Sequence, residues 1–167
     1  AADSLRASAL QMLGWCADEI GERERALSLF QECLALRRRV LHPAHEEISQ
    51  SLQDICYLLH DQGRDLELEP YIRELTDLLL IQQGDSSGMW LEWLGNLGYV
   101  LSITGRYAAA EELLLDVMRR SAQLFGKLRP PYTGALNNLA GLYESMGRNA
   151  EAERGYLEIL RADSITT

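Results

Sequence analysis

The chain has 167 residues, 47% of them apolar, with a formal net charge of −9 and a pI near 4.8. That apolar content supports one extended domain, while the acidic balance argues against non-specific binding to nucleic acid or to an anionic membrane, which takes basic patches. No stretch reaches the roughly 18 apolar residues of a membrane helix, and nothing in 1–13 has the make-up of a signal peptide. Three cysteines, Cys16, Cys33 and Cys56, show no framework spacing and read as reduced thiols on packed positions, in a cytoplasmic setting. The chain does not begin with Met, so we expect it to be a piece of a larger protein.

Apolar residues recur at helical spacing from the start. A first helix is predicted over 4–19, with Asp3 or Ser4 as N-cap, and a second over 23–39. Arg37, Arg38 and Arg39 fall in the second helix's last turn, where cations favour the helix dipole, and read as a solvated face. His42-Pro43-Ala44-His45 opens a third helix over 44–61; the two histidines have no cysteine or carboxylate pattern that completes a metal site. The fourth helix is expected to start late, near 67–69, because of Leu68 and Pro70, and to run to 82. Gln83 to Gly88 is the clearest loop. Further helices are predicted over 89–103, 107–125, 131–145 and 149–162. The tail 163–167 has no helical stripe, and the last helix is expected to leave apolar area exposed.

The helices repeat. Gly21, Gly63, Gly105 and Gly147 are 42 residues apart, and so are Leu10, Leu52, Leu94 and Leu136. The same spacing joins Leu13, Ile55, Leu97 and Leu139; the small residues Gly14, Cys56, Gly98 and Ala140; Ala26, Leu68, Ala110 and Ala152; and Phe30, Ile72, Leu114 and Tyr156. A period of this size marks stacked helix pairs. The fold class is therefore all-α, a right-handed solenoid of four helix pairs, about eight antiparallel helices, with repeats over 4–43, 44–87, 88–129 and 130–163. The period runs unbroken across the 83–88 loop, so the chain reads as a single domain over 1–167.

The columns Leu139-Ala140, Tyr143, Gly147, Ala152 and Tyr156 resemble the tetratricopeptide repeat, whose usual period is about 34. The longer period, the Asn137-Asn138-Leu139-Ala140 block and the loops Phe125-Gly126-Lys127-Leu128-Arg129-Pro130 and His42-Pro43 are similar to the kinesin light chain branch. Glu69-Pro70-Tyr71 resembles a Glu-Pro-Leu-Tyr block of bacterial members. The resemblance implies a protein-interaction scaffold whose concave face is lined mainly by the first helix of each pair. Carried over by position, the candidate groove holds Trp15, Asp54, Tyr57, Asp61, Glu92, Asn96, Tyr99, Asn137, Asn138 and Glu144.

Trp15, Tyr57 and Tyr99 form one column, with Gly141 as the fourth member. Aromatics there either anchor a ligand or close the gap between neighbouring helices. Asn96 and Asn138 match the position whose amide, in related peptide-binding repeats, holds a ligand backbone; the other reading is an exposed polar residue. The inner positions carry Asp18, Glu19, Asp54, Asp61, Glu92 and Glu144 and no Lys or Arg. This departs from chaperone-tail binders and from kinesin light chains, which use basic residues, and it implies a protein or peptide partner with basic and apolar side chains. The alternative is an internal sensor, regulator or spacer domain that packs on its own neighbours. There is no Gly-rich phosphate loop and no Gly-x-Ser-x-Gly elbow, so we expect no enzyme and no catalytic, cofactor or metal site.

Overall fold

In the computed structural model, which describes residues 2–127 and 129–163, four glycines punctuate the chain. Gly21, Gly63, Gly105 and Gly147 have φ between +67° and +81°, a left-handed backbone in which a Cβ would be strained. Each closes a helix in the same way. The amide after the glycine donates to the carbonyl five residues back: Glu22 to Ala17, Arg64 to Leu59, Arg106 to Leu101 and Arg148 to Tyr143, all at 2.8–2.9 Å. The glycine amide itself bonds the carbonyl three back. This double bond satisfies carbonyls that a helix end leaves open.

The described residues form two compact units. The unit Ala1–Gln82 holds α1 (Ala2–Glu19), α2 (Arg23–Val40), α3 (Glu46–Asp61) and most of α4 (Glu69–Gln83). The unit Gln83–Thr167 holds α5 (Gly88–Ile103), α6 (Tyr107–Phe125), α7 (Pro130–Ser145) and α8 (Asn149–Asp163). The described residues contain no strand. The bounds follow the sequence reading closely, with two differences. Asp3 and Ser4 lie inside the first turn of α1 instead of capping it. The third helix starts at Glu46, because the His45 ring nitrogen Nδ1 accepts the Glu47 amide at 3.3 Å and acts as the N-cap. The expectations for Leu128 and for 164–167 lie outside the described residues.

Within a pair, the helices close on a small residue. A Cβ on Gly14 of α1 would sit 2.4 Å from the Phe30 ring of α2, and one on Gly98 of α5 would sit 2.6 Å from Leu114 of α6. In the last pair the small residue is Ala140, and Gly155 of α8 comes in against it. Tyr156, expected in the packed stripe, is therefore displaced and 37% exposed. In the first unit Leu52, Ile55, Leu59, Ile72, Leu75 and Leu79 are fully buried, and Ser49 of α3 donates to Gln82 of α4 at 3.1 Å. In the second, Leu91, Val100, Leu114, Val117 and Leu142 are fully buried.

Two column members fail to pack. Leu13 is 50% exposed and Cys16 is exposed, although Ile55, Leu97 and Leu139, equivalent to Leu13, are buried. α2 lies against α3 and α6 against α7, whereas α1 is the first of the described helices.

The irregular copy behaves as its residues require. A short 3-10 turn over Asp65–Glu67 precedes α4, and Leu68 is buried where other copies carry Ala. Pro70 is the second residue of α4, where its missing amide proton costs no helix bond.

Two outcomes test this packing. Gly98→Ala should destabilise the protein by about 1–3 kcal/mol through overpacking against Leu114. Gly134→Ala in α7, where a Cβ meets nothing within 4 Å, should stabilise it by about 0.5–1 kcal/mol; denaturant titration measures both. Hydrogen exchange should find the 64–69 segment less protected than 106–111, where α6 starts directly after Arg106. Equal protection would mean that the 3-10 entry costs the helix nothing.

Candidate protein-interaction surface

In the first unit α1 and α3 lie side by side, and their shared face carries the expected groove residues. Trp15 is 47% and Tyr57 59% exposed, and Asp61 is exposed. Asp54 is different. Its carboxylate accepts from Gln11 Nε2 at 2.5 Å and from Trp15 Nε1 at 3.2 Å. Burial pushes its pKa up, while those two bonds and the Arg37 charge pull it back only in part. Asp54 thus holds α1 to α3 and orients the Trp15 indole.

Behind it lies a side chain that the sequence reading put in solvent. Arg37 is 3% exposed. Its Nε donates to Glu47 Oε2 at 3.0 Å, its Nη1 to Ser51 Oγ at 2.6 Å and to the Glu47 carbonyl at 3.1 Å, and its Nη2 to Gln11 Oε1 at 3.0 Å. Gln11 therefore faces a cation with its oxygen and a carboxylate with its nitrogen. The chain Arg37–Gln11–Asp54–Trp15 joins the last turn of α2 to the α1/α3 face. Arg38 instead pairs with Glu74 of α4 at the surface. Cys33, beside Ser51, and Cys56 are buried; burial raises both thiols, Cys56 to about 12, so they stay protonated.

In the second unit α5 and α7 are neighbours. Asn138 Nδ2 donates to the Gly95 carbonyl at 3.0 Å, so one donor of that amide is spent on the protein's own backbone. Asn137 and Glu92 are exposed; Asn96 and Tyr99 are half-buried. Glu144 is exposed and accepts the Tyr156 hydroxyl at 3.2 Å.

A second device was hidden in the turns. Arg148, just after Gly147, donates from Nη1 to Glu111 of α6 at 2.9 Å and from Nε to Glu151 at 2.7 Å, and stacks 4.1 Å above the Tyr143 ring. Tyr143 donates its hydroxyl to Glu111 at 2.9 Å. In the first unit Arg64, just after Gly63, donates to Glu24 of α2 at 2.9 Å. Arg64, Arg106 and Arg148 are 42 apart, and the fourth member of the column is Glu22. That periodicity was the signal available in the sequence.

Arg37→Leu should cost about 3 kcal/mol by leaving buried partners of the guanidinium without it. It should also release Trp15, seen as a red-shifted indole fluorescence and read against a Trp15→Phe background. Arg39→Leu, at an exposed position of the same turn, should change stability by less than about 0.5 kcal/mol.

Family models of the tetratricopeptide repeat match residues 6–47 and 91–164. Among curated proteins, none matches the sequence. Solved structures match over nearly the whole chain. One, from Podosopora anserina, is described as a kinesin light chain with nearly identical TPR-like repeats; it has a TM-score of 0.80 at 17% identity and covers 97% of this chain and 77% of its own. BtubC (BKLC) from P. vanneervenii has a TM-score of 0.81 at 15% identity, over 98% of this chain and 65% of its own. MamA MSR-1 has a TM-score of 0.66 at 17% identity, over 100% of this chain and 82% of its own. Among the described residues no helix is long and apolar enough to cross a membrane. Paired helices, glycine turns at a fixed period and two family matches agree: the chain belongs to the tetratricopeptide repeat family, with the fold of its kinesin-light-chain-like branch.

Proposed function

We propose that the protein is a non-enzymatic interaction module that holds a peptide or partner segment with basic and apolar side chains. Tetratricopeptide repeats in general mediate protein–protein interaction, and the proposal is that this chain does so through the face of the first helix in each pair. The observation that carries it is the α1/α3 face, where Trp15 and Tyr57 stand about half-exposed beside Asp18 and Asp61. Exposed aromatics offer area at little entropic cost, and carboxylates favour a basic ligand. On the α5/α7 face Glu92, Asn96, Tyr99, Asn137 and Glu144 offer the same chemistry. Asp54 and Asn138 serve as supports that position the face. An acidic surface without basic patches suits neither nucleic acid nor anionic membrane, and the reduced thiols suit the cytoplasm.

A second reading, a regulatory or spacer domain packing on neighbouring domains, is favoured by α1. Its Leu5, Leu13 and Ile20 are 73%, 50% and 70% exposed.

A peptide array with the intact chain, followed by titration at low and high salt, separates the two. Basic peptides should dominate, and their affinity should fall with salt, since exposed charges are screened beyond roughly 8–10 Å. Tyr57→Ala should cost about 1–2 kcal/mol of binding without loss of fold. Asp18→Lys with Asp61→Lys should turn the preference toward acidic peptides. An array dominated by acidic peptides, or binding indifferent to Tyr57, would exclude the α1/α3 face as the site.

A further inference from the structure

We propose that Asp54 is a proton-operated latch on Trp15: ionised, it holds the indole in the α1/α3 face, and protonation lets the indole go. This rests on the reading of that face as the binding surface and adds its regulation. The exposure of Trp15 belongs to its column and not to its place on α1, since Tyr57 at the same column is 59% exposed.

Gln11 decides where the proton goes. Its Oε1 accepts from Arg37 Nη2 at 3.0 Å, and its Nε2 donates to Asp54 Oδ2 at 2.5 Å. Turning the amide over would set its NH2 against the guanidinium and leave Arg37, 3% exposed, with an unmet donor. Oδ2 therefore keeps facing a donor and stays an acceptor. The proton goes to Oδ1, the oxygen that accepts from Trp15 Nε1 at 3.2 Å. Two donors then face each other, and the half-exposed indole is the one that turns to water. The same column carries the neutral amides Asn96 and Asn138, and Asn138 of α7 donates to the Gly95 carbonyl of α5 at 3.0 Å. An amide thus suffices to join the first helices of two repeats; a carboxylate at this position adds sensitivity to protons.

The charges around Asp54 leave the proton this route. From α2 come Arg37, which is bonded into the cluster, and Cys33, whose thiol stays protonated. On α3 itself Glu47 is already the partner of Arg37, and Asp61 is exposed. α1 brings the half-buried Asp18, one turn past Trp15. The 3-10 turn brings Asp65, held by His60 at the far end of α3, and Glu74 of α4 is paired with Arg38. Burial, the largest influence, holds the Asp54 carboxyl above the ordinary carboxylate range in the folded chain. A folded value above the unfolded one means that proton uptake favours the folded chain. That contribution is fully present below the unfolded value and is lost as pH rises through the folded one. The latch therefore opens with the fold intact.

The test is an NMR titration of the intact chain between about pH 8 and about pH 4. It follows the Trp15 indole N–H, assigned by its loss in Trp15→Phe, and the Asp54 carboxyl carbon. The indole signal should move upfield in step with the Asp54 titration, as a charge-assisted bond is lost, while the circular dichroism stays unchanged. In Asp54→Asn it should sit at the upfield position throughout and not titrate. In Gln11→Leu, where Oδ2 is free to take the proton, Asp54 should still titrate and the indole should respond several-fold less. On the wild type, affinity for a basic peptide should fall several-fold over the same range, and Asp54→Asn should remove that dependence. The latch is refuted if the indole signal ignores the Asp54 titration, if it still titrates in Asp54→Asn, or if Gln11→Leu folds and leaves its response in full. Absence of peptide binding beside an intact indole titration would instead count against the α1/α3 face as the site, and with it against the regulation of binding.

Discussion

Two helices can approach closely only where one of them gives up its side chain. Gly14 against Phe30 and Gly98 against Leu114 leave no room for a single added carbon. That contact sets each pair's spacing, and the spacing decides which residues face outward. In the fourth pair the small positions are Ala140 and Gly155, one on each helix, so the large residue next in sequence, Tyr156, is turned out to meet Glu144. A shift of one residue at the crossing thus converts a core residue into an exposed one. The packing constraint acts first and the exposed surface follows from it.

The polar contacts divide labour with this apolar crossing. Within a pair, apolar burial dominates. Between pairs, charged groups recur: Arg37 with Glu47, Arg64 with Glu24, Arg148 with Glu111. Exposed pairs add little stability each, so their value lies in register. A guanidinium that follows a left-handed glycine has its backbone anchored by the double amide bond, and its reach is short and directed. Arg37 is the exception in depth, and its burial requires all its partners at once.

Much of this was legible because the period is exact in the residues that matter. Glycine at 42-residue intervals located four helix ends, and Leu68 with Pro70 foretold the late start of α4. Arg37 was misplaced because a cation in a last turn already has a sufficient local explanation, the helix dipole. Its partners, Gln11, Glu47 and Ser51, come from two other helices and have no fixed sequence relation to it. Leu13 and Cys16 were misread for another reason. A column states which side of a helix faces a neighbour, and it carries no information on whether a neighbour is there.

The candidate site was legible in kind and less so in detail. Position in the repeat put Trp15, Tyr57, Asp61, Asn137 and Glu144 on outward positions, and all five are exposed. It could not separate residues that present the face from residues that hold it, because that depends on hydrogen-bond partners 39 to 43 positions away, as for Trp15 with Asp54, Gln11 with Asp54 and Asn138 with Gly95. These bonds each join the first helices of two adjacent repeats. The polar residues nearest the aromatic column therefore set the distance between helices, and the groove's width is governed by side chains that do not themselves need to touch a ligand. The Tyr57 ring and the Asp61 carboxylate stand one helical turn apart on α3, and both are exposed.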